Sequence, residues 1–290
     1  MTATSEMRVH RFSAMASPCE VQVDSPDPVL AAHLGQIAEA EAKRIETKYS
    51  RYRDDSVVTK INTSHGKPVT LDDETAALLD YADSCYKLSN GLFDVTSGVL
   101  RRIWKFDGSD NVPDKCQVAE ILPFIGWNKV TWRRPELILP EGMEIDFGGL
   151  GKEYAVDSAV LKIMQVSDAP VLVNFGGDLR VSGPRAGNQR WRVAIESVDG
   201  ETVSTARLEI ATGALTTSGD ARRFLLKNGV RYSHILDPRT GWPVKDPPRS
   251  VTVAAPTCME AGVISTLAML QGKKAEKFLK REGVQSWVVR

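Results

Sequence analysis

A change of hydrophobic rhythm part-way along the chain constrains its fold more than any other feature. In the first part, apolar residues recur at helical steps. From Pro28 to Tyr49, the residues Leu30, Leu34, Ile37, Ala38, Ile45 and Tyr49 fall on one face. From Asp72 to Leu88, Leu78, Leu79, Ala82, Cys85 and Tyr86 repeat the pattern; two aspartates open that helix and Asn90-Gly91 closes it. Beyond about residue 125 the chain breaks into short β-rich runs separated by glycine turns. The runs are Lys129–Trp132, Glu144–Phe147, Pro170–Phe175, Leu179–Ser182, Trp191–Ile195, Ala206–Ile210, Tyr232–Leu236 and Ser250–Ala255. Arg8 to Val23 reads as two further strands around Ser17-Pro18. Helices are expected over Lys152–Gln165 and Met259–Leu270.

Strands and helices that do not strictly alternate predict an α+β fold, with mixed or antiparallel sheets and flanking helices. The expected organisation is one domain over 1–290, with a helix-rich part (about 1–125) and a β-rich part (about 126–290). The Pro-, Asp- and Trp-rich stretch Asp107–Pro140 marks the boundary. Hydrophobic residues make up 42% of the chain, enough for a sizeable core without disulfide or metal staples.

Charge narrows the partners. Lys plus Arg number 37 and Asp plus Glu number 37, so no overall positive field exists to hold nucleic acid. The cysteines at 19, 85, 116 and 258 form no C-x-x-C pair, which argues against a zinc ribbon or a thioredoxin-like motif. The longest nearly apolar stretch, Ala261–Leu270, is too short to span a bilayer. The start, Met1–His10, is polar and shows neither a signal pattern nor a lipobox, so a cytoplasmic protein is expected; a chain shorn of its leader would look the same and be periplasmic.

Five glycine-containing segments carry polar residues that a plain scaffold does not need. Ile145–Lys152 (IDFGGLGK) runs from a predicted strand through a glycine turn into a helix, so its backbone N–H groups suit a phosphate. It is not a Walker A loop, because Asp146 and Glu153 stand where Gly and Ser or Thr are required. It reads equally as an ordinary strand–helix turn. Val173–Asp178 (VNFGGD) suits a hairpin turn or a ligand loop. Thr216–Asp220 (TTSGD) clusters hydroxyls and a carboxylate, for binding oxygens or for capping a helix. His234–Gly241 (HILDPRTG) places a histidine ahead of a strong turn. Of the four histidines, His234 is the best placed for proton transfer. Gly91–Gly98 (GLFDVTSG) sets Asp94 among apolar residues, either as a helix-capping turn or as a ligand contact.

Taken together and in order, these segments resemble the ApbE family of FAD:protein FMN transferases, over about Phe12 to Gln271. FSAMAS (12–17) is similar to the family's opening Met-Gly-Thr strand, and Met15 matches the methionine that lies against the flavin nucleotide. YSRYRDDS (49–56) with Asn62 resembles its "FStY…DS…N" segment, with Tyr52 as the aromatic that stacks on a ring of FAD. Leu92, Phe93 and Asp94 fall in the counterpart of "FDPTVGPL". Asp146 and Lys152 fall in the counterpart of "DLGGIAKGYAVD", Asn174–Asp178 in that of "NxGGD", and Ser218 and Asp220 in that of "TSGDY". His234–Gly241 resembles "HIIDPRTG".

The resemblance implies a T-fold-like architecture with FAD in a groove between the helix-rich and β-rich parts. Met15, Tyr52, Leu92, Phe93, Asp94, Asp146, Lys152, Asn174, Ser218, Asp220 and Val251 would meet FAD. Mg²⁺ would sit against Gly149, Gly151, Ser265 and Thr266. His234, oriented by Asp237, would activate a Thr or Ser hydroxyl of an acceptor redox protein, with AMP leaving. Two positions depart from the family pattern. Thr266 is kept from the metal motif "ADALAT", but Gly262 stands where its Asp belongs, and Glu153 replaces a glycine of the "AKGY" turn. Glu260 would point elsewhere on the helix, about 200° round. Loss of a carboxylate is expected to weaken Mg²⁺. The rival readings are a non-catalytic FAD-binding protein and an FAD pyrophosphatase.

Overall fold

Seven antiparallel strands lie side by side in chain order: β1 (Met7–Ala14), β2 (Ser17–Asp24), β3 (Val171–Phe175), β4 (Asp178–Val181), β5 (Gly213–Gly219), β6 (Ser250–Ala255) and β7 (Gln285–Val289). The computed structural model describes residues 6–195, 206–220 and 223–290; of the polar start Met1–His10, residues 1–5 lie outside that description. The helices bearing on the site are α1 (Pro28–Tyr49), α2 (Asp73–Leu88), α3 (Gly151–Met164) and α4 (Cys258–Leu270).

Strand alternation sorts the side chains into two layers. In β3, Val171, Val173 and Phe175 face the helices, whereas Leu172 joins Leu179, Val181 and Trp191 on the other face. That second face is covered by the two-stranded ribbon Trp191–Ile195/Ala206–Ile210. The helix face is packed by α1 against β1 and β2, α3 against β3 and β4, and α4 against β5 and β6. One buried apolar cluster runs from Ala14 to Val263 and draws on both the helix-rich and the β-rich parts. The architecture is α+β, as expected. Among the described residues no helix is long and apolar enough to cross a membrane.

Two turns bring the strand ends together. β1 and β2 are joined through Met15 and Ala16, both at positive φ (52° and 54°), which matches the right-handed twist of the hairpin. β3 and β4 are joined through Gly176 and Gly177 (φ 62° and 100°). A Cβ on Gly176 would lie 2.8 Å from the Cβ of Ser17 and 3.7 Å from Nζ of Lys152, so only glycine lets this turn settle onto its neighbour and the lysine head.

Some expectations are corrected. Glu144–Phe147 is not a strand. The Asn62 side chain takes both backbone groups of Ile145 (2.7 and 3.0 Å), and the Asp146 N–H bonds to the Val95 carbonyl (2.9 Å), so this stretch has no free edge to pair. His234 lies in the bend between the short strands Val230–Ser233 and Leu236–Asp237 rather than within a strand. The helices Val57–Asn62, Lys115–Ile121 and Ala275–Glu282 and the strand β7 escaped the periodicity reading.

Candidate active site

The turn Phe147–Gly151, leading into α3, joins two groups of polar side chains. On its near side stands Asp146. Its Oδ1 accepts the Gly148 N–H (2.9 Å), and its Oδ2 is ion-paired with Arg51. Gly98 makes this possible, because a Cβ there would fall 2.5 Å from that of Asp146. The Arg51 guanidinium also donates to the Tyr52 hydroxyl (2.7 Å) and lies 4.9 Å from its ring centroid. Tyr52 is 78% exposed, so an open aromatic face is held in place by a cation. Phe93 packs beneath the turn, 3.7 Å from where a Cβ of Gly149 would be.

On the far side, the first turn of α3 carries Lys152 and Glu153, and no side chain caps this helix end. Lys152 pairs with Asp178 at the start of β4 (2.7 Å). Burial disfavours the lysine charge, but Asp178 and Glu153 together outweigh it and raise the ammonium above its ordinary value. Asn174 Oδ1 accepts the Gly177 N–H (2.9 Å) and so fixes the β3–β4 turn against which Lys152 rests. From β5, Ser218 reaches α4: its Oγ is 2.8 Å from the hydroxyl of Ser265 and 3.2 Å from that of Thr266. Ser265 also donates to the Gly262 carbonyl (3.0 Å). Glu153 is buried, and its Oε2 has no hydrogen-bond partner. Burial first, then the Asp178 charge, pushes its carboxyl up to about 7 against the pull of Lys152.

Other predicted residues are engaged in structure. Asp94 caps the 3₁₀ helix Val95–Arg102 through the Thr96 N–H and hydroxyl (2.8 and 2.6 Å) and holds the Trp127 N–H (3.1 Å). Burial outweighs those bonds and raises its pKa. Leu92 and Phe93 are buried, and Val251 is wholly buried opposite Ser218 on the neighbouring strand. Met15 sits at the β1–β2 turn, packed against the core. Asp220 is buried beside Arg249 (3.0 Å) and Arg231 (3.5 Å).

His234 meets the backbone carbonyl of Arg223 through Nδ1 (3.1 Å). A carbonyl only accepts, so Nδ1 carries the proton and Nε2 keeps its lone pair. Burial lowers the histidine pKa below its ordinary value. The expectation that Asp237 orients this ring is corrected: Asp237 grips Arg239 through both oxygens (2.9 and 2.7 Å), and the Arg223 carbonyl takes the orienting place.

The chain matches the profile of the ApbE family over residues 15–288. The chain belongs to the ApbE family. A curated relative from Haemophilus influenzae, named FAD:protein FMN transferase, is 29% identical over 87% of this chain and 76% of its own length. One from Vibrio cholerae with the same name is 31% identical over 80% of this chain and 71% of its own. The crystal structure of the ApbE protein from Thermotoga maritima superposes with a TM-score of 0.89 at 30% identity, covering 98% of this chain and 94% of that one. The apo Pseudomonas stutzeri flavinyl transferase ApbE gives 0.85 at 26% identity, covering 99% of this chain and 92% of its own.

Within this ApbE-family chain, sequence reasoning missed Arg51, which only its neighbour Tyr52 signposted, and the Arg223 carbonyl, which no side-chain pattern signals. It also missed Asp157. Asp157 lies on α3, yet its two oxygens accept the first N–H groups of α4, from Cys258 (2.9 Å) and Met259 (3.0 Å), and it pairs with Arg180 of β4 (2.9 Å). It thereby sets the two helices that frame Glu153, Ser265 and Thr266.

Proposed function

We propose that this ApbE-family chain transfers the FMN moiety of FAD to a Thr or Ser hydroxyl of an acceptor redox protein and releases AMP. The observation that carries the reading is convergence. Lys152, Ser218 and Thr266 come from distant parts of the sequence and are linked at the start of α3: Asp178, the partner of Lys152, accepts the N–H of Thr217 next to Ser218 (3.3 Å), Ser218 meets Thr266, and Glu153 abuts Gly262 one turn before Thr266, with Arg51, Tyr52 and Asp146 on the glycine turn's other side.

In this mechanism, Tyr52 offers a stacking face for a ring of FAD. The Lys152 ammonium and the N-terminus of α3 favour the pyrophosphate. The acceptor hydroxyl attacks the FMN-side phosphorus. Its proton passes to Nε2 of His234, the new P–O bond forms, and the bond to AMP breaks. A hydroxyl is a weak nucleophile without such a base.

The donors beside Lys152 suit a hard divalent cation, since Ser218, Ser265, Thr266 and the unpartnered Glu153 Oε2 are all oxygens. Mg²⁺ takes one or two carboxylates and completes its shell with phosphate oxygens and water. The carbonyls of Gly149 and Gly151 and the hydroxyls of Ser265 and Thr266 would hold Mg²⁺. When bound, that ion supplies charge neutralisation on the pyrophosphate.

The test mixes the protein, FAD, MgCl₂ and a flavin-acceptor domain, then looks for fluorescence that stays on the denatured acceptor and for AMP in the supernatant. Both are expected. The reading is overturned if no acceptor is labelled and His234→Ala behaves as wild type. AMP and free FMN from FAD alone would instead mark a pyrophosphatase.

A further inference from the structure

Gly262 and Glu153 are two departures from the family pattern, far apart in the chain, and the fold brings them into contact. A Cβ built on Gly262 would fall 2.7 Å from Cγ of Glu153, 3.1 Å from its Oε1 and 3.2 Å from its Cδ. The Glu153 side chain therefore occupies the space into which a side chain at 262 would project. Gly262 is the residue whose carbonyl Ser265 holds, and Thr266 lies one turn further along the same face of α4. A buried carboxylate with an oxygen left unpartnered is costly unless something satisfies it. Lys152, the next residue in the chain, pairs with Asp178 and makes no hydrogen bond to this oxygen.

We propose that Glu153 supplies from α3 the carboxylate ligand of the divalent cation, in the place that an Asp at 262 would serve from α4. The absence of a side chain at 262 is then the condition for this arrangement rather than a loss. A hard cation at Oε2 satisfies the orphaned oxygen, and the neighbouring hydroxyls of Ser265 and Thr266 add neutral oxygens. The assignment rests on the flavin-transfer reading for the presence of the cation, but it makes its own demands. Gly262→Asp in the native background does not add a ligand; it drives two carboxylates into one space. The same substitution paired with Glu153→Gly returns the carboxylate from the other helix.

The experiment measures Mg²⁺ binding to the FAD-loaded protein by calorimetry, and the Mg²⁺-induced rise in melting temperature, for wild type, Glu153→Gln, Glu153→Gly, Gly262→Asp and Glu153→Gly/Gly262→Asp. Glu153→Gln is close to isosteric, so fold and metal-free FAD binding are expected to persist while Mg²⁺ affinity falls on the order of tenfold or more. Gly262→Asp alone is expected to lose the melting-temperature rise, and the double variant to bind Mg²⁺ more tightly than Glu153→Gly. The assignment is overturned if Glu153→Gln keeps wild-type Mg²⁺ affinity, or if the folded double variant binds Mg²⁺ no better than Glu153→Gly. Covalent labelling by the wild type is scored separately: labelling with unchanged Mg²⁺ affinity in Glu153→Gln sinks this assignment and leaves the transfer reading standing, whereas wild type that binds Mg²⁺ but labels nothing sinks the transfer reading alone.

Discussion

The carboxylate of Asp157, a residue of α3, caps α4: its Oδ1 accepts the backbone N–H of Cys258 at 2.9 Å. Both oxygens are used in this way, and Arg180 of β4 closes the third side. A negative charge at a helix N-terminus is favourable for the dipole and satisfies donors that the helix cannot. Asp157→Ala leaves those donors and a part-buried guanidinium unpaired, and should cost about 3 kcal/mol. Urea unfolding monitored by circular dichroism measures it. A midpoint unchanged from wild type would show that Thr257, which also caps α4 through the Glu260 N–H, suffices alone.

Acid should loosen the helical layer. Burial opposes the Glu41 charge, but hydrogen bonds from Arg44, Lys162 and Ser158 outweigh it and bring the carboxyl down to about 2. Arg44 first, then Lys48 and Tyr154, overcome burial and bring Glu74 down to about 2. A depressed carboxyl contributes stability that is fully present above its ordinary value, near 4.5, and is lost as pH falls toward about 2. The part of the stability that these two carboxyls supply should therefore be level from neutral pH to about 5 and decline below it, read as the difference in urea midpoint between wild type and Glu41→Gln across that range. Glu41→Gln, in which this carboxyl no longer titrates, should lower the plateau and flatten the decline.

With Nδ1 committed to the Arg223 carbonyl and burial lowering its pKa, His234 should be neutral at pH 7. The rate of flavin transfer is then expected to stay level down to the ordinary histidine value and to fall on the acid side as Nε2 takes a proton. His234→Ala should lower the rate by about 10² or more and remove that acid limb. A limb that survives the substitution assigns it to another group.

Tyr52 is exposed but not loose, since Arg51 bonds its hydroxyl and lies against its ring. Tyr52→Ala should weaken FAD binding by about 1–3 kcal/mol, the range of a base-on-aromatic stack, with a smaller effect on turnover. Arg51→Ala should follow it in the same direction and also release Asp146. FAD titration by fluorescence quenching decides, and equal affinities across the three proteins would remove Tyr52 from the site.

The long helices and the alternating strands were legible because periodicity over many residues leaves little choice of face: Pro28–Tyr49 and Ser250–Ala255 are found at the predicted boundaries. Glu144–Phe147 misled because its composition suits a ladder while its hydrogen bonds go to Asn62 and Val95. Asp94 stood out as a polar residue in apolar company and Asp220 as a carboxylate beside clustered hydroxyls, and the fold occupies them with backbone amides, a hydroxyl and guanidiniums. Asp237 was near His234 in sequence but belongs to Arg239 in space. Gly262 and Glu153 were each visible as a departure, the first read as a lost carboxylate and the second only as a replaced glycine. Only packing shows that one makes room for the other.

The strand order has a kinetic implication. β2 and β3 are partners, with Val23 opposite Val171, although the chain between them makes a long excursion that includes α1, α2 and α3. The hairpins β1–β2 and β3–β4 can zip locally, but joining them means closing that whole excursion, and distant closure is slow. Ser17 and Gly176, which abut across that seam, stay apart until it is made. Nucleotide affinity during refolding should therefore arrive with the seam and not with the ribbons.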